Sequence, residues 1–189
     1  MTSLHIYLAS LSPRRSELLT QIGVAHEVVR VAVDERIQAG EAAEKYVVRL
    51  AQEKAGAGLV ATSDRPFHPV LGADTAVVVD DKILGKPANC DEALAMMALL
   101  SNRTHRVLTG VALAGLEGSE RLLSVSHVTF REVSADEALA YWRSGEPADK
   151  AGGYGIQGLG ALFISHLEGS FSGVMGLPLY ETGALLKSR

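Results

Sequence analysis

The chain has one cysteine, Cys90, in 189 residues. An intramolecular disulfide is therefore excluded, and this usage fits the reducing cytosol, where the protein is expected to reside. No run of about 18 apolar residues occurs, so a membrane-spanning helix is not expected. The first residues lead almost at once into strand-like sequence, without the basic, apolar and cleavage regions of a secretory signal. A basic excess is missing as well. The 18 Lys and Arg face 22 Asp and Glu, for a net charge of −4. That balance argues against a general nucleic-acid binder, which needs cationic surface for phosphates. The six histidines include no i, i+2 or i, i+4 pair, so a histidine zinc site is not expected. No Gly-x-Ser-x-Gly elbow appears, which leaves acyl-serine hydrolysis unsupported. Internal repeats, linkers and low-complexity tracts are absent. If phosphates bind here, a few local cations must hold them.

What is present is an ordinary apolar fraction, 47%, at a length that suits one domain, or one with a subdomain. The pattern predicts strands over His5–Ala9, Ala25–Val33, Val70–Val79, His105–Leu113, Leu122–Arg131 and Leu162–Leu167. A slip in alternation near Ser126-His127 suggests a bulge, and His105 and His127 read as strand-surface residues. Helices are predicted after Ser12-Pro13, over Glu41–Val60 and Asp91–Leu100, from Ser134 to Arg143, and after Pro178. Asn89 with Glu92, and Ser134 with Glu137, read as capping boxes. Asn102 suits a left-handed helix end. This mixture predicts a mixed α/β fold.

The first helix carries an electrostatic oddity. Ser12 reads as its N-cap and Pro13 as its first residue, so Arg14 and Arg15 fall in the first turn. Cations at the positive end of the helix dipole cost roughly 0.3–1 kcal/mol each. An anion bound at that end reverses the penalty, because free N–H groups and two guanidinium forks converge there. The alternative is two solvated arginines that tolerate the cost.

Other chemistry-bearing residues are scattered at element ends. In the Glu41–Val60 helix, Ala43, Val47, Leu50 and Ala51 form the apolar stripe, with Lys45, Arg49 and Glu53 on the other face. Lys54 continues the stripe four residues after Leu50; it either snorkels to the rim or aims its ammonium into a cleft. Gly72-Ala-Asp-Thr75 puts a carboxylate inside an apolar strand, which is costly unless it is paired, capped or bound to a metal. Lys86 reads as solvated on spacing alone. Asp149-Lys150 and Gln157 bracket glycines that serve either a ligand or tight turns. Gly153-Tyr-Gly-Ile-Gln-Gly158 matches a dinucleotide fingerprint only formally, since no strand precedes it. Gly85-Lys86 lacks the remaining residues of a P-loop.

Taken in order, these pieces resemble the Maf family of nucleoside triphosphate pyrophosphatases. The motifs are Ser10-x-Ser-Pro-Arg-Arg-x-Glu-Leu-Leu19, Gly72-Ala-Asp-Thr75, Gly85-Lys-Pro87, Val107-x-Thr-Gly110, Asp149-Lys-Ala-Gly152, Tyr154-Gly-Ile-Gln-Gly158 and Gly176-Leu-Pro178. The resemblance runs from about Leu8 to Glu181. The resemblance implies one Maf-like domain over residues 1–189, elongated and two-lobed with a central cleft, similar to inosine triphosphate pyrophosphatases. It also implies hydrolysis of a triphosphate to the monophosphate and pyrophosphate by water attacking the α-phosphorus, assisted by Mg²⁺ or Mn²⁺. Under it Asp74 is the general base, and Glu35 with Asp74 holds the metal. Ser10, Arg14, Arg15, Lys54 and Lys86 bind phosphate, while Arg14, Thr75 and Gln157 set specificity. An aspartate is a weak base unless its surroundings raise its pKa, so orientation of a metal-bound water by Asp74 is an equal reading.

Asp74-Thr75 and the Gln157 loop resemble the subgroup that acts on dTTP and UTP, with modified pyrimidine nucleotides as further candidates. Two alternatives accompany it: a 7-methyl-GTP pyrophosphatase, and a nucleotide-binding regulator of cell division whose hydrolysis is incidental. No membrane or nucleic-acid partner is expected, and a homodimer is left open. Asn102, Gly153, Phe171 and Gly173 depart from the usual family residues without touching the implied chemistry.

Overall fold

The N-terminal segment builds a parallel β–α–β unit. In the computed structural model, which describes residues 5–187, strand β1 (His5–Leu8) is followed by helix α1 (Pro13–Gln21) and strand β2 (Ala25–Val28). Strand β1 pairs parallel with β2 and with β3 (Val70–Val79). Helix α2 (Ala43–Ala61) precedes β3, and β4 (Lys82–Leu84) returns antiparallel along it. Then come α3 (Cys90–Leu100), the long strands β5 (Thr104–Gly115) and β6 (Gly118–Phe130), and α4 (Ala135–Arg143). Three 3-10 segments lead to β7 (Ile164–Glu168), which pairs antiparallel with β6. Two helices, α5 (Phe171–Met175) and α6 (Leu179–Lys187), finish the described chain. The seven strands form one sheet in the order β2-β1-β3-β5-β6-β7, with β4 on β3. The expected mixed α/β class holds.

The chain packs as two compact units. The first comprises residues up to Asp74, Thr109–Ser124, and Gly176 onward; the second comprises Thr75–Leu108 and Val125–Met175. In the first, the predicted α2 stripe of Ala43, Val47, Leu50 and Ala51 is buried, and Ala55 extends it. Two strand glycines seat this helix. A Cβ at Gly72 would lie 2.2 Å from the Ala51 carbonyl oxygen and 2.7 Å from the Ala55 nitrogen, and one at Gly110 2.5 Å from the Val47 oxygen. Helix backbone thus rests directly on strand backbone. Since strand side chains alternate, Asp74 shares the face of Gly72 and points toward the same helix.

The second unit has its own core, in which Phe130, Tyr154, Phe163 and Tyr141 pack edge-on or tilted. Several sequence expectations change here and in the first unit. His105 is not on a strand surface: it is 2% exposed, with Nε2 2.6 Å from the Tyr154 hydroxyl. No register shift is found at Ser126-His127 in the β6–β7 pairing; it falls between Thr129 and Phe130. The apparent slip in alternation arises because Ser124 and Ser126 face inward, and Ser126 accepts from the Ser170 N–H. Residues Leu162 and Phe163 belong to a 3-10 turn, so β7 starts at Ile164. Strand β2 stops at Val28 because its partner β1 ends at Leu8 in the register Leu8↔Val28. Residues 29–42 have no helix or strand. Glu92 takes the Ala88 N–H, not that of Asn89, so only the Asn89 half of that box forms. The Ser134–Glu137 box is complete, and Asn102 has the expected positive φ.

Candidate active site

Asp74 is the centre of a charge cluster. Its side chain is only 12% exposed, and an oxygen accepts from Lys54 Nζ at 2.7 Å. The cost of burying this carboxylate is met by pairing. Lys54 therefore does not snorkel to the rim. Its ammonium also lies 2.7 Å from Glu35, so one cation bridges two carboxylates. Burial pushes the Asp74 pKa up, and the positive charges of Lys54 and Arg15 only partly oppose it. A carboxylate shifted in this direction is a better proton acceptor than an exposed aspartate.

The first turn of α1 joins the same cluster. Ser12 occupies the N-cap, but its side chain makes no capping bond; its N–H instead donates to Ser10 Oγ at 3.2 Å. Ser10 Oγ also accepts from Arg15 Nη1 at 3.1 Å, while Arg15 Nε donates to the Gly176 carbonyl at 2.7 Å. Arg15 is thus not a solvated arginine. Burial lowers its pKa, Asp74 and Glu35 act to raise it, and neighbouring Arg14 adds to the lowering. Arg14 is half-buried beside it. The structure brings together Ser10, Arg14, Arg15, Glu35, Lys54 and Asp74. Three cations face two carboxylates, at a helix end whose free N–H groups favour an anion.

Thr75, Lys86 and Gln157 belong to the second unit. Thr75 follows Asp74 on β3 and is half-buried, and Lys86 is exposed just past β4. Gln157 is exposed at the start of the Gly158–Phe163 turn. The glycines around it serve close packing. The Glu146 carboxylate accepts from the Leu159 and Gly160 N–H groups and from the Tyr141 hydroxyl, and a Cβ at Gly158 would lie 2.6 Å from it. Lys150 donates to the Glu146 carbonyl and to Asp149. Gly152 has φ 71°, and a Cβ there would strike all three side-chain carbons of Val77. Gly152, Gly153 and Gly158 all have positive φ, a conformation that tight turns need and glycine supplies.

Two carboxylates from separate elements offer hard oxygen donors, which suit Mg²⁺ or Mn²⁺. Among the described residues there is no cluster of three His, Cys, Asp or Glu. Two carboxylates alone would suit a cation that takes its remaining ligands from elsewhere, as Mg²⁺ does when it keeps waters or binds phosphates.

Two participants escape sequence reasoning. The Gly176 carbonyl is 161 residues from Arg15, and no local signal announces that contact. Tyr46 donates from its hydroxyl to the Glu35 carbonyl at 3.0 Å. Its phenol is pushed up to about 12 by burial and by the charges of Asp74 and Glu35. The i, i+3, i+7 stripe of Tyr46, Arg49 and Glu53 was the available hint, since it runs along α2 next to Lys54.

No helix among the described residues is long and apolar enough to cross a membrane. Three curated relatives carry the name dTTP/UTP pyrophosphatase. That of Alkalilimnicola ehrlichii is 55% identical over 96% of this chain and 91% of its own length. That of Saccharophagus degradans is 54% identical over 97% and 88%. That of Photobacterium profundum is 50% identical over 100% and 98%. The family model described as Maf-like protein matches residues 5–189. With that match spanning the carboxylate pair, the arginine turn and the Gln157 loop alike, the chain belongs to the Maf-like family.

Proposed function

We propose that this protein is a nucleoside triphosphate pyrophosphatase that hydrolyses dTTP and UTP to the monophosphate and pyrophosphate. The observation that carries the mechanism is the buried Asp74, paired with Lys54 beside Glu35 and in the field of Arg15. The relatives' names support the substrates.

In the proposed reaction a water oxygen attacks the α-phosphorus and the bond to the bridging oxygen breaks. Pyrophosphate leaves with the bridging oxygen's electron pair, and the water proton passes to a carboxylate oxygen of Asp74. Lys54, Arg15, Arg14 and Ser10 bind phosphate oxygens, where preorganised donors stabilise charge that develops in the transition state. Glu35 and Asp74 would hold a divalent cation, Mg²⁺ or Mn²⁺, whose chemistry is neutralisation of phosphate charge. Lys86 is assigned to phosphate, and Thr75 and Gln157 to specificity, on their motif positions. The same reading describes a cytosolic enzyme with a nucleotide as its partner. Sedimentation velocity distinguishes a monomer from the homodimer.

The test is pyrophosphate release across a nucleotide panel with each metal. Turnover of dTTP and UTP above all others is expected. Equal or greater turnover of 7-methyl-GTP would sink the substrate assignment, and no triphosphate turnover would sink the enzyme.

A further inference from the structure

Glu35 stands in residues 29–42, a stretch without helix or strand. Loops of this length inside a compact domain are usually functional, and they need anchors to hold a geometry. Two anchors come from α2, one turn apart. Tyr46 donates to the carbonyl of Glu35 at 3.0 Å, and Arg49 Nη2 donates to the carbonyl of Arg36 at 3.2 Å. Consecutive peptide groups are thus held by a helix that also carries Lys54.

Arg49 is itself clamped. Its Nε and Nη2 form a fork on Glu41 at 2.6 and 2.8 Å, and its Nη1 lies 3.3 Å from both Glu53 oxygens. Glu41 in turn accepts from the Gln38 N–H at 3.0 Å, tying down the far side of the segment. Arg49 lies on the face of α2 opposite the apolar stripe, yet its side chain is 19% exposed over a 7% exposed Glu41. Bidentate pairs of this kind fix orientation as well as charge. The Glu35 side chain, by contrast, is 59% exposed, so the placement of its backbone governs where the carboxylate stands relative to Lys54.

We infer that Arg49, acting with Tyr46, is a positioning residue that fixes the Glu35-bearing segment to the helix that carries Lys54. This rests on the proposed role of Glu35, and neither residue is asked to touch substrate.

The experiment is a double-mutant cycle in pyrophosphate release from dTTP. Arg49→Met is expected to lower kcat by about 10- to 100-fold, the range for misplacing a reacting group, with KM within about 2-fold. Arg49→Lys, which keeps the charge and loses the fork, should recover part of the loss. In a Glu35→Gln background Arg49→Met should add nothing, because its route to the chemistry has already been removed. Independent, multiplying losses overturn the inference and leave the role of Glu35 standing. A fully active Glu35→Gln overturns both. Should Arg49→Met not fold, Tyr46→Phe in the same cycle removes one hydroxyl from the Glu35 carbonyl and gives the same two outcomes.

Discussion

Lys54 Nζ stands 2.7 Å from an oxygen of Asp74 inside the face of the sheet that α2 covers. The relationship has two consequences. It makes a buried carboxylate tolerable, and it delivers a cation to the place where a second carboxylate, Glu35, arrives from an irregular segment.

Asp74→Asn and Lys54→Met should separate chemistry from stability. Asp74→Asn removes the proton acceptor but keeps the shape, so kcat for dTTP should fall about 10²- to 10⁴-fold. Its melting temperature should stay within a few degrees. Lys54→Met leaves Asp74 buried without this partner, a class of change that costs up to about 3–5 kcal/mol. Thermal melts beside steady-state kinetics check this. A Lys54→Met protein as stable as the parent would show that the pair contributes little to folding.

Arg15 and Arg14 should behave differently. Arg15→Lys loses the fork that joins the Gly176 carbonyl to Ser10, and lysine offers only a point charge in its place. KM should rise and kcat fall by a similar factor for every triphosphate. Arg14→Ala should alter the ratio of kcat/KM between dTTP and other nucleotides. A uniform loss from Arg14→Ala contradicts this division of labour.

Gly72→Ala tests whether helix seating aligns the site. The added Cβ would meet Ala51 and Ala55 backbone at 2.2 and 2.7 Å, distances that force the helix away from the strand. Overpacking of this kind costs about 1–3 kcal/mol. The displacement also separates Lys54 from Asp74, so the loss of kcat should persist at temperatures where the variant remains folded by circular dichroism. Full activity in that folded state would show that the seating does not control the site.

Stability should fall in mild acid because of His105, in the second unit. Burial lowers its pKa from 6.5 to about 4, so the folded state holds the imidazole neutral where the unfolded state takes a proton. The group contributes its full stabilisation above about pH 6.5. That contribution declines as pH falls from there through about 4, where the folded state also protonates. At 1.36 kcal/mol per pKa unit, the lost contribution is about 3 kcal/mol. Denaturant titrations at pH 7.5, 6, 5 and 4.5 read it, and His105→Gln should flatten the curve across that window. An unchanged pH profile in the variant would assign the acid sensitivity to other groups.

Much of the fold was legible because it depends on local chemistry. The α2 stripe, the limits of β3, the Ser134–Glu137 box and the left-handed Asn102 all follow from spacing or from one residue's conformational preference. Expectations failed where a strand's fate depended on a neighbour. The β-branched run after Val28 has strand propensity, but β1 is too short to pair with it. His105 looked like a surface residue because polarity alone says nothing about a tyrosine hydroxyl 49 positions away.

The sequence by itself determined the components of the site: a carboxylate in an apolar strand, a lysine on the buried stripe of a helix, and two arginines in a first helical turn. Periodicities of 2.0 and 3.6 place side chains on faces, and those rules act within one element. Only the tertiary structure decided what each charge meets. Lys54 reaches Asp74 across 20 residues, and Arg15 reaches Gly176 across 161. Both pairings exist because glycines let α2 settle onto the sheet and because the chain returns at Gly176 to α1. Such contacts depend on backbone separation in space, which no spacing along the chain encodes.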